Sequence, residues 1–199
     1  MGRYGGKLMS HSGENALSIS DNLLTIEEYL SLPDGDVPNE LVRGRIVPLA
    51  IPFPRHGEIC SQIIYLVYRY LDVDDLGHLV SNNSAIITER HPDTVHGADI
   101  AFYSYQRAPR GPLPDGYLDV VPELVFEVRS PGDRWGWILA KVGEYLEAGV
   151  TVVCVLDQMT ERCQVYRSNE DMKVFTSEQE LILPDVLPEF RAVVRRFFE

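Results

Sequence analysis

The stretch PELVFEVRSPGDRWGWILAKVGEYLEAG, residues 122–149, changes its period halfway along. Leu124-Val125-Phe126 is an apolar run of buried-strand type. It ends in the carboxylate of Glu127, continues as Val128-Arg129 and is broken by Ser130-Pro131-Gly132. Beyond the break, Ile138, Leu139, Val142, Tyr145 and Leu146 recur at three- and four-residue spacing, which predicts a helix packed on the sheet. Asp133 is the expected N-cap, because a short acidic side chain accepts from the free N–H groups of the first turn. Gly149 suits the left-handed residue that stops such a helix. Lys141 sits among the packing residues, so the helix carries an ammonium back along the strand that holds Glu127.

Downstream, Thr151 to Asp157 is a continuous apolar run and reads as a second buried strand. Cys163–Arg167 and Met172–Phe175 should pair beside it as an antiparallel meander, and Leu187–Phe190 leads into a last short helix ending in Phe197-Phe198. Upstream, Leu24–Leu30 reads as a short helix with Thr25 and Glu28 as a capping box, ended by Pro33-Asp34-Gly35. Glu40 to Val47 reads as a hairpin around Gly44, with Glu40 at its entrance. Ile59, Ile63, Leu66, Val67 and Tyr70 predict a buried helix of about four turns with His56 at its start. Leu79–Thr88 and Thr94–Tyr103 read as strands, the first with an irregularity at Asn82-Asn83. Arg107–Gly116, rich in Pro and Gly, is a loop whose Arg107 and Arg110 are candidate phosphate contacts or plain solvated side chains.

The chain of 199 residues, 45% hydrophobic, suits one domain of ordinary size. Residues 1–20 read as a flexible leader without apolar period, and residues 21–199 as the folded domain. No apolar run approaches the roughly 20 residues of a membrane span, and no signal peptide is legible, so no membrane partner and a cytoplasmic location are expected. Cys60, Cys154 and Cys163 are scattered and odd in number, which predicts reduced, mostly buried thiols. The formal charge of -12 argues against a protein that grips nucleic acid over a wide surface, though it leaves room for a local basic cleft. Lysine is scarce: Lys7, Lys141 and Lys173 stand against fifteen arginines.

Asp99 and Glu127 each interrupt an apolar strand. An unpaired buried carboxylate costs several kcal/mol, so each needs a cation or donors beside it. Two such acids on neighbouring strands can share a divalent metal, and Mg2+ takes one or two carboxylates together with water and phosphate oxygens. The other reading is a structural ion pair, such as Asp99 with an arginine.

Thr25–Tyr29, Glu40-Leu41-Val42-x-Gly44, His56, Gly97–Phe102, Pro122–Pro131, Asp133, Lys141, Tyr145, Ala148–Val150 and Val155–Asp157 together resemble the Uma-two family. Its members are restriction-endonuclease-like proteins of the PD-(D/E)XK nuclease superfamily. The resemblance runs from about Leu24 to Phe198. It implies an α/β restriction-endonuclease-like core, a mixed sheet flanked by helices. It also implies a Mg2+-dependent (or Mn2+-dependent) DNA endonuclease, with a homodimer as the form suited to double-strand cleavage. By the same resemblance Asp99 and Glu127 are the metal carboxylates, the carbonyl of Val128 is an extra ligand, and Glu40 is an additional acid. The superfamily's lysine two residues after the glutamate is Arg129 here, and Uma-like sequences supply a lysine from the next helix, which is Lys141. Arg129, which cannot act as a base, and His56 remain accessory or phosphate-contacting candidates. The rivals are a non-catalytic nucleic-acid-binding or scaffold protein on the same fold, and a nuclease acting on RNA or nucleotides. Exposed apolar surface near Phe197 and Phe198 is a candidate contribution to the dimer contact, the other reading being that both residues belong to the core.

Overall fold

In chain order the elements are α1 (Ile26–Leu30), β1 (Asn39–Val42), β2 (Arg45–Pro48), α2 (Pro54–Leu71), β3 (Gly77–Glu89), β4 (Thr94–Ser104), β5 (Leu124–Arg129), α3 (Trp135–Glu147), β6 (Val152–Asp157), β7 (Arg162–Tyr166), β8 (Lys173–Phe175), β9 (Glu180–Leu183) and β10 (Leu187–Val193), with a final 3-10 turn at Val194–Phe197. This computed structural model describes residues 23–33 and 37–199. The leader at residues 1–20 and most of the Pro33-Asp34-Gly35 turn lie outside the described residues.

The sheet runs β2-β1-β4-β5-β6-β7-β8, with β3 also on β4. The α3 crossover joins β5 and β6 as a parallel pair, with Glu127 opposite Val155 and Arg129 opposite Asp157. The other pairings are antiparallel. This is the mixed sheet flanked by helices that the sequence predicts. One face packs on α2, β10 and the 3-10 turn through Ile63, Val67, Phe126, Leu156 and Phe197. The other packs on α3 through Val142, Tyr145, Val125 and Val153.

Local predictions translate into geometry with a few corrections. Thr25 and Glu28 form the reciprocal capping box of α1. Gly149 has φ +103°, a left-handed conformation that a side chain would strain, and it stops α3 as expected. Asp133, however, is not the α3 cap. The N-cap is Arg134, with no side-chain bond, while the Asp133 carboxylate accepts from the Ser130 amide at 2.7 Å and closes the preceding turn. Leu139 faces outward at 46% exposure, because it falls off the stripe formed by Val142 and Tyr145. Leu187–Val193 forms a strand, β10, which pairs with β9, and the expected last short helix is the 3-10 turn Val194–Phe197. Phe197 and Phe198 are buried, at 0% and 5% exposure, which matches the core reading of these two residues and not the dimer-contact one.

One topological detail creates the site. β3 pairs with β4 along nearly its whole length. The other edge of β4 is shared: β1 meets it at Val95, and β5 meets it only at Ile100–Phe102. Between these pairings, from His96 to Asp99, neither β1 nor β5 is paired with that edge. Extending both registers by one residue brings Glu40 opposite His96 and Glu127 opposite Asp99. The opposite edge is irregular at the same level, where Asn82 and Asn83 adopt φ of 68° and 54°. A Cβ on Gly97 would stand 2.9 Å from the Asn83 Cβ and 3.0 Å from its carbonyl oxygen. Gly97→Ala is therefore expected to lower stability by about 1–3 kcal/mol, as overpacking does. Urea unfolding of the two proteins measures this.

Candidate active site in the gap along β4

Backbone groups inside a sheet must be paired, and side chains replace the missing strand pairing here. The Gly97 amide donates to Glu40 Oε1 at 2.8 Å, and the Gly97 carbonyl accepts from Lys141 Nζ at 2.8 Å. Across the gap, the Val128 amide donates to Asp99 Oδ2 at 2.7 Å. A strand residue presents its N–H and C=O to the same side, so the Val128 carbonyl faces the gap as well.

The charged groups alternate along a chain. His56 Nε2 lies 3.2 Å from Asp99 Oδ2. The Lys141 ammonium lies 3.1 Å from Glu127 Oε1 and 3.0 Å from Glu40 Oε1. Tyr145 donates to Glu127 Oε1 at 2.9 Å. Glu40 Oε2 meets His96 Nδ1 at 2.9 Å, and His96 Nε2 contacts Glu144, whose other oxygen is 3.8 Å from exposed Arg43. Lys141, Glu144 and Tyr145 share one stripe of α3, at three- and four-residue spacing, which is why one helix supplies three members of the network.

Burial and neighbouring charge set the protonation states. Burial raises the Glu127 carboxyl and the nearby Asp99 adds to this; Lys141 and the Tyr145 hydroxyl oppose both, leaving it at about 7. Glu40 is also buried, but the bond to His96, the Lys141 charge and the Gly97 amide outweigh burial and take it down to about 2. Burial works against a charged Lys141, yet Glu127, Glu40 and Asp99 more than compensate and raise it. Burial likewise opposes the His56 imidazolium, and the bonds to Asp99 and Cys60 lift it to about 10. His96 is raised against burial by Glu40 and Glu144.

A raised histidine contributes stability in full below its unfolded value of about 6.5 and loses it as pH climbs through the folded value. Glu40, being depressed, contributes above about 4.5 and loses its contribution as pH falls toward 2. The expected result is a urea midpoint that declines above pH 6.5, and a shallower decline in His96→Asn. Urea titrations between pH 6 and 9 test it.

Asp99, Glu127, Lys141, Glu40, His56 and Val128, all singled out in the sequence, come together in this gap. Arg129 does not. Its guanidinium donates to Asp157 Oδ1 at 2.9 Å and to the Asp133 carbonyl, and it stacks over Trp135 at 4.8 Å. The acid is its own register partner on β6. Arg107 donates to the carbonyls of Val121, Pro122 and Gly149 and pairs with Glu123, and Arg110 pairs with Asp75; both are engaged in structure and not at the site. Sequence reasoning missed His96 and Glu144. The available signals were a histidine three residues before Asp99 in an apolar strand, and a glutamate three residues after Lys141 on the same helical face.

Three hard oxygen sources, the Asp99 and Glu127 carboxylates and the Val128 carbonyl, face one gap, which suits a divalent cation. The elevated Glu127 expresses the same imbalance, since the single ammonium beside it does not offset burial next to a second acid.

No helix among the described residues is long and apolar enough to cross a membrane. No curated protein sequence matches the chain. A solved structure described as "Crystal structure of a putative nuclease belonging to DUF820 from Anabaena variabilis ATCC 29413" superposes with a TM-score of 0.75 at 19% identity, covering 88% of this chain and 97% of that one. The family described as "Uma2: Putative restriction endonuclease" matches residues 26–195, nearly all of the described chain, so the protein belongs to the Uma2 family of restriction-endonuclease type.

Proposed function

We propose that the protein is a DNA endonuclease that hydrolyses phosphodiester bonds with Mg2+ (or Mn2+). The observation that carries this reading is the gap along β4, where Glu127 falls opposite Asp99 one residue beyond the last β4–β5 pair and a helix-borne ammonium lies 3.1 Å from Glu127. Asp99, Glu127 and the Val128 carbonyl would hold the cation, which when bound lowers the pKa of a coordinated water and polarises a scissile phosphate. Lys141 is kept protonated by its acidic neighbours, so its part is to stabilise charge developing on the phosphate oxygens, not to remove a proton. Tyr145 fixes the Glu127 carboxylate, and Glu40 fixes Lys141. His56 is a further cation at the edge of the site, suited to a phosphate oxygen. A cavity of about 390 Å3 lined by Tyr29, Asn39, Glu40, Asn83, Gly97 and Tyr117 opens beside the cluster, within the size range of small-ligand pockets and so large enough for a nucleotide. A homodimer would present one such site to each strand of a duplex.

Plasmid DNA incubated with the protein and Mg2+ or Mn2+ at low salt should yield nicked or linear product, and Glu127→Ala should yield none. Low salt matters because the chain carries a net charge of -12 and depends on local contacts. A wild type as inactive as Glu127→Ala on duplex DNA, single-stranded DNA and RNA would overturn the nuclease reading in favour of a non-catalytic binding or scaffold protein. Cleavage confined to RNA would reassign the substrate.

A further inference from the structure

Beside the gap lies a second set of donors with different chemistry. His56 and Cys60 are four residues apart near the start of α2, the spacing that puts two side chains on one helical face and that helices use for paired metal ligands. The Cys60 sulfur is 3.5 Å from His56 Nδ1, and His56 Nε2 is 3.2 Å from Asp99 Oδ2. Ligating atoms of His56, Cys60 and Asp99 lie within 4.8 Å of one another, the one such group of three among the described residues. Cys154 and Cys163 are enclosed in the core, whereas Cys60 is only partly buried, at the edge of the core and beside His56.

We infer that His56, Cys60 and Asp99 form a binding site for a thiophilic divalent cation of the Zn2+ class, separate in chemistry from the oxygen-lined gap. Tetrahedral zinc holds nitrogen at about 2.0–2.1 Å and sulfur at about 2.3 Å, which separates neighbouring ligands by roughly 3.5 Å. The three donors need contract by only about an ångström to reach that spacing. Binding displaces the thiol proton of Cys60 and a proton of His56 into solvent, and the imidazole then turns one nitrogen to the metal. Two protein nitrogen and sulfur donors with one carboxylate leave a fourth position for water. Mg2+ does not compete for the sulfur, because it takes hard oxygen ligands.

The site has a functional consequence that rests on the proposed nuclease reading. Asp99 belongs to both donor sets, so zinc held by His56 and Cys60 draws that carboxylate away from Mg2+. Zn2+ therefore inhibits cleavage through a residue, Cys60, that takes no part in it.

The test uses the full chain stripped of metal. Co2+, a spectroscopic stand-in for zinc, should produce a thiolate-to-metal charge-transfer band in the near ultraviolet, absent from both Cys60→Ser and Cys60→Ala. X-ray absorption of the wild type loaded with one equivalent of Zn2+ should show a single sulfur neighbour at about 2.3 Å. Zinc affinity should fall in Cys60→Ser by more than the roughly 10–100-fold that follows loss of an outer partner. Zinc bound without a sulfur neighbour, or with equal affinity in wild type and Cys60→Ser, overturns the site. In the cleavage assay, zinc should inhibit the wild type and spare Cys60→Ser in the presence of Mg2+; equal inhibition of both overturns the coupling. Absence of Mg2+-dependent cleavage in the zinc-free protein would instead overturn the nuclease reading, and the spectroscopic measurements decide the zinc site on their own.

Discussion

Lys141→Ala is expected to lower stability at pH 8 by about 3–5 kcal/mol, the range found when one partner of a buried ion pair is removed and the other is left behind. The side chain is 18% exposed and holds two carboxylates that are each 8% exposed, so water cannot take its place freely. For a chain of this length the loss corresponds to a fall of roughly 6–20 °C in Tm. The loss should shrink toward pH 5. Burial already raises Glu127 to about 7, and without the ammonium it rises further. The variant then takes up a proton on that carboxyl and escapes most of the penalty. Lys141→Met, which keeps the volume, should behave alike if charge and not packing is the cause. Urea titrations at the two pH values measure the difference, and a loss below about 1 kcal/mol at pH 8 would mean that the carboxylates are solvated.

Divalent metal should stabilise the wild type and leave Asp99→Asn almost unmoved. A ligand at 100 times its dissociation constant adds roughly 2.7 kcal/mol, or about 5–11 °C for a protein of this size. Asparagine keeps an oxygen for the Val128 amide, which Asp99 accepts at 2.7 Å, so the sheet should retain its shape while the charge is lost. The contrast therefore isolates metal binding from folding. Thermal melts with and without millimolar Mg2+ and Mn2+ provide the reading. Calorimetry that detects no divalent binding to the wild type would return Asp99 and Glu127 to a structural role.

Both expectations rest on residues that stand out in the amino-acid sequence itself. The strand ending at Glu127, the helix carrying Lys141 and the left-handed Gly149 follow from period and punctuation, which are local properties of the chain. What could not be read is how strands share an edge. Glu40 meets His96 because β1 occupies one part of the β4 edge, and nothing in either strand announces that neighbour. Arg129 shares a strand face with Glu127, and from sequence it looks as available as Lys141. Its partner, Asp157, becomes visible only once β5 and β6 are known to be parallel and in that register. Asp133 shows the same limit at short range: an acid before a helix can cap the helix or close the turn ahead of it, and the Ser130 amide won. Arg107 looks free in a loop, yet the loop folds its guanidinium onto backbone carbonyls that have no strand partner.

The shared edge of β4 also governs when the site can come into being during folding. Its residues extend from Glu40 to Tyr145, and its walls are set by β1–β4, β4–β5 and the parallel β5–β6 pairing, all of which join distant parts of the chain. No single hairpin or helix contains it. Loops of tens of residues must close before Asp99 and Glu127 face each other, and chains dominated by such contacts fold over milliseconds to seconds. Until then nothing holds the acids and Lys141 together, so a partly folded or nascent chain has no assembled cluster.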